Sequence, residues 1–303
     1  MNVGLRYQAD KLEYENPIKT ELDFSKNFDG LYPTMNLAYT FDKKKGRMLS
    51  LGYRYYQSFP NFGYFFDVKE VHSDNTYSIG NPNLDPEHFH LAELAYTHNK
   101  ALNFVYSYRR GTDLVQVMTF TEEDNPMISY TKPENIGENH LHRFSLEARY
   151  SPFAWWFFKF TARANYEDRT YGTSRFNQWY GNSSFNNNFT FKNGWGGTFN
   201  VSASTKRRNG DYTFSWGHSE DLSIYKSLLK NKLNISAGIT NFAYKRENIT
   251  TEMNDGTIIR SVGHKPLREY NLTLTYSFQS GKKIKNVKAL DGAKLNITKA
   301  SRE

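Results

Sequence analysis

Long stretches of this chain alternate apolar and polar residues with a period of two, and this pattern restricts the fold more than any other feature. Residues 270–278, for example, place Tyr, Leu, Leu, Tyr and Phe on one side and Asn, Thr, Thr and Ser on the other. Successive side chains of a β-strand point to opposite faces, so the pattern predicts strands with one apolar and one polar face. About twelve strands are predicted, near residues 2–14, 31–42, 47–59, 88–98, 101–120, 127–150, 154–170, 178–192, 195–207, 211–228, 231–246 and 258–278.

The composition agrees with a strand-rich protein and excludes several other classes. Aromatic residues make up 17% of the 303 residues, which is too much apolar surface for a disordered chain and unusual for a helical globule. The mean hydropathy is −0.75 and no run of 18 apolar residues occurs, so a transmembrane helix is excluded. A barrel that spans a membrane with strands remains compatible, because its signal is alternation and not average hydropathy.

The breaks between the predicted strands are of two kinds, and the two kinds alternate along the chain. Short polar breaks fall at residues 42–46, 98–100, 151–153, 192–194 and 229–231, and longer segments fall at 15–30, 60–87, 121–126, 171–177 and 247–257. Short turns on one side and long loops on the other are typical of an up-and-down meander across a membrane. We therefore expect all the short breaks to lie at one rim of the sheet.

A soluble β-sandwich is the alternative fold, and strand length argues against it. Sandwich strands usually have about 5–6 residues, whereas several strands here exceed ten, which is enough to cross a bilayer at a tilt. Tyr, Trp and Phe gather near strand ends, as at residues 155–158, in the manner of an aromatic girdle. The predicted fold is all-β, a transmembrane antiparallel up-and-down β-barrel.

The alternation also assigns side chains to the two faces of the sheet. The residues expected to point outward to lipid are Leu49, Leu51, Phe158, Phe160, Leu272, Leu274 and Tyr276. The residues expected to point inward are Ser50, Lys159, Arg163, Thr273 and Thr275.

Several short segments resemble one family, the TonB-dependent outer-membrane receptors of the outer membrane protein β-barrel family. LYPTMNLAY at residues 31–39, RMLSLGY at 47–53 and SFPNF at 58–62 are similar to successive strand openings of that family. GNPNLDPE at 80–87 is similar to its most specific motif, and LTLTYSF at 272–278 looks like its terminal strand with a final aromatic residue. Phe59 stands where the family has arginine, and Asp85 where it usually has lysine.

The resemblance implies more than the fold. It implies the cell outer membrane as location, the lipid bilayer and the barrel-assembly machinery as partners, and TonB as a partner only through a plug domain that these residues lack. It implies no cofactor, no enzymatic activity and no nucleic-acid partner. A 22-stranded barrel needs far more than 303 residues, so we expect the C-terminal part of such a barrel, with a sheet that is open or closed under strain.

Two regions are expected within the chain. Residues 1–278 form the partial barrel, and residues 279–303 form a basic C-terminal tail. Seven basic and two acidic residues give this tail a charge of +5 out of the total of +8. A basic tail can indicate nucleic-acid binding, but the aromatic-interleaved signature of an RNA-binding sheet is missing, so a solvated extension is the interpretation.

Few residues combine in a way that indicates chemistry. His88 with His90 and His140 with His142 have spacing acceptable for a metal, but no acidic cluster accompanies them, so no metal site is predicted. The segment 217–221 superficially resembles a nucleophile elbow around Ser219 but lacks its second glycine, so no catalytic residue is predicted. The ligand-binding residues stay unassigned. The inward charges named as possible contacts to a plug or solute are Arg54, Glu147, Arg149, Lys159 and Arg163, and residues 186–188 are interpreted as a flexible surface loop.

Two functions from different classes follow from these expectations. The first is energised uptake of a scarce ligand, of the siderophore, glycan or peptide class, by a TonB-dependent receptor. The second is a passive or structural outer-membrane barrel, such as a porin-like pore, an adhesin or a nonfunctional remnant.

Overall fold

The computed structural model describes residues 1–15, 23–99, 101–209, 212–214, 217–243, 248–252, 258–262 and 268–278, and most of these residues lie in β-strands. The only helical segments among them are two short 3-10 turns, at Phe62–Phe65 and Lys192–Gly194, and neither is long and apolar enough to cross a membrane. The strands are β1 (Asn2–Tyr14), β2 (Phe24–Asp42), β3 (Arg47–Ser58), β4 (Glu70–Ser73), β5 (Thr76–Ser78), β6 (Glu87–His98), β7 (Leu102–Thr121), β8 (Ser129–Phe153), β9 (Trp156–Tyr171), β10 (Ser174–Thr190), β11 (Trp195–Ser204), β12 (Arg207–Asn209), β13 (Tyr212–Phe214), β14 (Gly217–Leu228), β15 (Leu233–Thr240), β16 (Asn248–Glu252), β17 (Ile258–Val262) and β18 (Glu269–Tyr276).

Twelve long strands form one antiparallel meander, which confirms the predicted up-and-down architecture. Their order in the sheet is β1-β2-β3-β6-β7-β8-β9-β10-β11-β14-β15-β18, so each of these twelve strands pairs with the next of the twelve along the chain. The remaining strands lie in the connections. β4 and β5 form a hairpin that pairs with β8 through β5, and β12, β13, β16 and β17 form a separate four-stranded sheet.

The sheet is open. β1 pairs with β2 and β18 pairs with β15, and within the described part of the chain these two end strands do not pair with each other. Of the two expected forms, an open sheet and a sheet closed under strain, the structure shows the open one.

The five short breaks that the sequence indicated all lie at one rim of the meander. They join β2 to β3, β6 to β7, β8 to β9, β10 to β11 and β14 to β15, and neighbouring strands are antiparallel, so these turns share one edge. Asn99, Asn193 and Asn231 adopt positive φ in three of them, a conformation that asparagine tolerates better than most residues. We call this edge the turn rim and the opposite edge, with the longer connections, the loop rim.

Several predicted boundaries are wrong. The segment 171–177, predicted as a long break, is a two-residue turn between β9 and β10, because Gly172 adopts φ +54° and lets the chain reverse at once. The predicted strands 211–228 and 258–278 each comprise two strands, β13 with β14 and β17 with β18, that belong to different sheets. β2 begins at Phe24 and not near residue 31, because the whole of β1, up to Tyr14, pairs with residues 24–36 of β2.

The register separates the side chains into an apolar face and a polar face. Directly paired residues share a face, and the pairs Leu51–Leu94, Leu94–Tyr106 and Tyr106–Phe144 continue one apolar surface across four strands. By the same pairing, the residues that the sequence assigned outward all lie on this apolar face, and those assigned inward all lie on the other. Many apolar side chains are exposed, including Leu222 at 43% and Ile224 at 55%, so the apolar face needs a nonaqueous neighbour.

Residues 186–188 lie within β10, so their interpretation as a flexible loop is wrong. Asn187 is on the apolar face opposite Phe158 and Phe199 and is only 3% exposed. Its side chain accepts a hydrogen bond from Trp156 Nε1 at 3.0 Å and donates one to the carbonyl oxygen of Phe199 at 2.9 Å. A buried amide with both groups satisfied is compatible with an apolar surface.

We expect Asn187→Leu to lower the free energy of unfolding by about 1–3 kcal/mol, because the indole N–H of Trp156 would lose its acceptor. The measurement is a urea titration of the folded protein in lipid vesicles. Asn186→Leu is the matched control, since Asn186 lies on the polar face, is exposed and donates only a 3.3 Å hydrogen bond to Ser184. Equal losses in the two variants would contradict the assigned role of Asn187.

Candidate functional site: the polar face below the loop rim

The GNPNLDPE segment fixes the long loop between β3 and β6 against the wall of the sheet. Asn81 is 5% exposed and donates from Nδ2 to the Pro133 carbonyl oxygen at 3.0 Å and to Glu134 Oε2 at 3.1 Å, both on β8. Leu84 is fully buried, and its carbonyl oxygen accepts a hydrogen bond from Lys26 Nζ on β2 at 2.7 Å. The segment therefore joins the loop to β2 and to β8 at the same time.

Gly80 is required because the loop backbone passes very close to it. A Cβ atom added at this residue would lie 2.0 Å from the carbonyl oxygen of Phe66 and 2.8 Å from that of Tyr64. The amide of Asn81 donates to the same Tyr64 carbonyl at 2.6 Å. The motif that looked most specific in the sequence is thus a structural lock that positions the loop rim.

Two more side chains, Glu87 of the lock and Asn135 of β8, form hydrogen bonds with an irregular part of β7. Glu87 Oε1 accepts a hydrogen bond from the Val115 amide at 2.9 Å, and Asn135 Nδ2 donates to the Asp113 carbonyl oxygen at 2.7 Å. The register between β7 and β8 shifts here, and Asp113 has φ +58°. The side chains therefore satisfy backbone groups that the shifted ladder leaves unpaired.

Aromatic side chains cover the loop rim where β5 meets β8. Tyr77 stacks on Tyr130 with a ring separation of 5.1 Å, and Lys69 Nζ lies 3.6 Å from the centre of the Tyr77 ring. Desolvation, followed by the hydrogen bond to the Glu122 carboxylate, raises the pKa of the Tyr77 phenol above its ordinary value. The phenol therefore stays protonated at neutral pH and is a hydrogen-bond donor there.

Three arginines, Arg109 of β7, Arg143 of β8 and Arg169 of β9, project from the polar face below this rim, and we call them the arginine face. None of them forms an ion pair with a carboxylate of the described residues, in contrast to Arg110 and Arg175 on the opposite face. Guanidinium groups without a counter-ion favour the binding of an anion.

The polar partners of the arginine face are neutral. Arg143 Nε donates to Asn165 Oδ1 at 3.0 Å, and Arg169 donates to Gln116 Oε1 at 3.1 Å and to Asn209 Oδ1 at 3.0 Å. The Arg109 guanidinium lies over the ring of Phe89, 5.1 Å from its centre. The Nε atoms of Arg109 and Arg169 are buried and have no hydrogen-bond partner within the described ranges of the chain.

One buried carboxylate lies in this region, and amides hold it. Glu167 is 6% exposed and accepts from Gln178 Nε2 at 3.0 Å and from Asn139 Nδ2 at 3.4 Å. The negative charge of Glu167 lowers the local positive potential, but the three positive guanidinium groups outnumber this one carboxylate. The arrangement can hold a carboxylate or phosphate group through charge-assisted hydrogen bonds.

Strand β12 of the small sheet contacts this region from the loop rim. The amide of Arg208 donates to Gln178 Oε1 and its carbonyl oxygen accepts from Gln178 Nε2, both at 2.8 Å. The Arg208 guanidinium donates to the Tyr171 hydroxyl at 2.9 Å and lies over the ring of Phe176. β12 at the loop rim therefore contacts the polar face beside the arginine face.

The inward charges singled out in the sequence lie on the polar face as expected, but they do not form one site. Glu147 forms ion pairs with Arg149 at 2.6 Å and with Lys159 at 3.0 Å, in the half of the sheet nearer the turn rim. Arg54 lies on β3, with its guanidinium 4.9 Å from the centre of the Tyr56 ring, and Arg163 lies on β9 opposite Ser145. Their role as ligand or plug contacts stays a prediction.

The arginine face was missed by sequence reasoning, although the signal was present. The alternation that places Tyr106 and Tyr108 on the apolar face also places Arg109 on the polar face and Arg110 on the apolar one. Counting alternate residues along each strand as far as its arginines would have assigned Arg109 and Arg110 to opposite faces.

The histidine pairs lie on the apolar face and not in the candidate site. The four imidazoles of His88, His90, His140 and His142 each have Nδ1 within 2.9 Å of a tyrosine hydroxyl on a neighbouring strand. No group of three or more His, Cys, Asp or Glu side chains suited to a metal occurs within the part of the chain that the structure describes.

Ser219, the centre of the nucleophile-like segment, lies in the middle of an extended strand. It belongs to β14, and its hydroxyl is 2.7 Å from that of Ser202, whereas the neighbouring His218 contacts Glu220. A nucleophile elbow needs a sharp turn between a strand and a helix, and an extended strand does not provide one.

The chain is similar to solved outer-membrane proteins. It aligns with the copper transporter OprC at 14% identity and TM-score 0.64, covering 91% of this chain and 44% of that one. The ferric enterobactin receptor PfeA of Pseudomonas aeruginosa gives 14% and 0.55 over 85% and 42%, and the FrpB iron transporter of Neisseria meningitidis gives 14% and 0.58 over 91% and 42%. The chain thus spans less than half the length of each of these proteins.

No curated protein matches the chain. The family model named outer membrane protein beta-barrel family matches residues 1–276, nearly the whole of the meander. This agrees with the up-and-down order of the strands, the exposed apolar face and the similarity to outer-membrane transporters. The resemblance found in the sequence is confirmed, and the chain belongs to the outer membrane protein β-barrel family and to the cell outer membrane.

Proposed function

We propose that this chain forms part of the barrel wall of a TonB-dependent receptor that takes up a scarce, anion-bearing ligand. The observation that carries the proposal is the arginine face, three guanidinium groups on the polar side of an outer-membrane meander that form no ion pair with a carboxylate among the described residues. A porin-like pore can also carry arginines, but the family match and the similarity in fold to solved receptors favour a receptor. A receptor uses such a charge to hold its ligand.

In this proposal the loop rim faces outward from the cell. The lock around Asn81 keeps the long loop in place, and the small sheet contacts the polar face through Arg208. The ligand meets the rim first and then the arginine face. Coupling to TonB requires a plug domain, and insertion into the membrane requires the barrel-assembly machinery, so both are further partners in this proposal.

The test uses cells that carry the intact gene, grown in media limited in turn for iron, copper, glycan or peptide. We expect deletion of the gene to slow growth in one of these media, and deletion of tonB to slow it to the same extent. A growth defect that tonB deletion does not reproduce, or a defect in none of the media, would favour the passive or structural barrel.

The arginine face gives a sharper prediction for the same cells. We expect the double variant Arg109→Ala, Arg169→Ala to raise the ligand concentration needed for half-maximal growth by about 100-fold or more, because two charge-assisted hydrogen-bonding groups are lost. Arg6→Ala is the matched control, since Arg6 is an exposed arginine of the same polar face but lies on β1, away from β7, β8 and β9. Equal effects of the control and the double variant would refute the site.

A further inference from the structure

Two copies of one side-chain pattern lie on the apolar face. Tyr53 and Tyr55 of β3 contact His90 and His88 of β6, with hydroxyl-to-Nδ1 distances of 2.9 Å in both pairs. Tyr106 and Tyr108 of β7 contact His142 and His140 of β8 in the same way, at 2.9 and 2.7 Å. We call these eight residues the Tyr–His belt.

The position of the belt along the strands is informative. On the apolar face of β8 the order from the turn rim is Tyr150, Ala148, Leu146 and Phe144, followed by His142, His140 and Glu138. At a rise of about 3.3 Å per residue and a tilt of about 45°, His142 is about 20 Å and Glu138 about 30 Å above Tyr150. The apolar band of an outer-membrane barrel is about 25 Å tall, so with Tyr150 at its inner boundary the belt lies just inside the outer boundary and Glu138 lies just outside it.

Charged side chains continue the same surface beyond the belt. Arg175 forms two hydrogen bonds with Asp168, at 3.0 and 2.5 Å, and Arg110 Nε donates to Glu138 Oε1 at 2.9 Å. An open cleft of about 590 Å³ lies between these charges and the belt. It is lined by Tyr108, His140, His142, Tyr166, Asp168 and Arg175.

The chemistry of the cleft restricts what can fill it. The two arginines and the two carboxylates are paired with each other and cancel in charge, so the surface does not select simply for negative charge. The guanidinium and imidazole groups donate to phosphate oxygens, whereas the carboxylates accept only from donors such as hydroxyl groups. A group with both phosphate and hydroxyls, anchored by acyl chains against the adjoining apolar face, matches both kinds of side chain.

We propose that the Tyr–His belt and this cleft bind the phosphorylated sugar headgroup of an outer-leaflet glycolipid. The tyrosines hold the imidazole rings through Nδ1, which fixes the direction of the other ring nitrogen, and Nε2 of His140 lies 3.5 Å from Glu138 Oε1. The acyl chains of the lipid continue along Phe144 and Leu146 toward the turn rim. This surface is on the opposite side of the sheet from the arginine face and does not depend on the proposed ligand uptake.

The experiment uses the intact receptor purified from outer membranes and measures bound lipid by native mass spectrometry. The probes are bisphosphorylated lipid A, the same lipid after dephosphorylation, and phosphatidylglycerol. We expect His140→Ala, His142→Ala to weaken binding of bisphosphorylated lipid A by about tenfold, and Tyr108→Phe to weaken it by a smaller factor because the ring remains. Unchanged heat-modifiable migration on a gel verifies that each variant is folded.

His98→Ala is the matched control. His98 also has Nδ1 2.9 Å from a tyrosine hydroxyl, that of Tyr96 on its own strand, and it lies on the same apolar face but at the turn rim. It is expected to leave binding unchanged. The proposal is overturned if the control and the double variant lose equal affinity, if the double variant loses none, or if dephosphorylated lipid A or phosphatidylglycerol binds as tightly as the bisphosphorylated form.

Discussion

Gly80→Ala is expected to release the long loop between β3 and β6 from the wall of the sheet. The new methyl group would lie 2.0 Å from the Phe66 carbonyl oxygen, and because its neighbours are backbone atoms, no side-chain rotation relieves the clash. We expect a cost of about 3 kcal/mol, which raises the open population of the loop about 100-fold. The measurement is the rate of protease cleavage within residues 66–79 of the folded protein in vesicles, where slow cleavage reports the open population.

Gly63→Ala is the matched control in the same loop. An added Cβ there would have its nearest neighbour, Asn61 Oδ1, at 3.5 Å, which is ordinary van der Waals contact. We expect cleavage in this variant at close to the parental rate. If Gly80→Ala is also cleaved at the parental rate, the lock does not hold the loop as described.

Phe104→Arg and Val105→Arg are expected to differ strongly although the two residues are neighbours in β7. Phe104 is on the apolar face between Tyr96 and Leu146, about 10 Å above the level of Tyr150, near the centre of the apolar band. An arginine there should lower the free energy of unfolding by about 2–4 kcal/mol. Val105 is on the polar face opposite Ser145, and an arginine there should cost less than about 1 kcal/mol.

Folding titrations of both variants in lipid vesicles measure this difference. The pair controls for the change in local strand propensity, because both substitutions introduce the same residue into the same strand. Similar costs for the two variants would mean that the assignment of faces is wrong. A larger cost for Val105→Arg would reverse it.

The alternation of side chains made the strands and their faces predictable, because it depends only on neighbours along the chain. The meander followed from the alternating length of the breaks, whereas the expectation that the sheet could be open came from the resemblance to a family with 22-stranded barrels. Boundaries in the long connections were harder to predict. No local feature of the sequence shows that residues 258–262 pair with β16 instead of extending β18.

Contacts between strands were hidden for a different reason. The spacing of His140 and His142 was visible in the sequence, but the tyrosines opposite them lie about 32–36 residues away in β7. Their pairing depends on the register, which the irregularity near Asp113 and the intervening loop set. The arginine face was hidden in the same way, since its three residues come from three strands.

The unequal length of the strands sets where the molecule first meets its surroundings. β8 has 25 residues, which corresponds to a height of about 60 Å at a tilt of about 45°, whereas the apolar band is about 25 Å tall. β7 with 20 residues rises beside it, and β5 adds a parallel pair near its end. Together these strands extend about 30 Å beyond the hydrocarbon. A large particle, such as an antibody or a phage tail, therefore contacts them before it reaches the lipid.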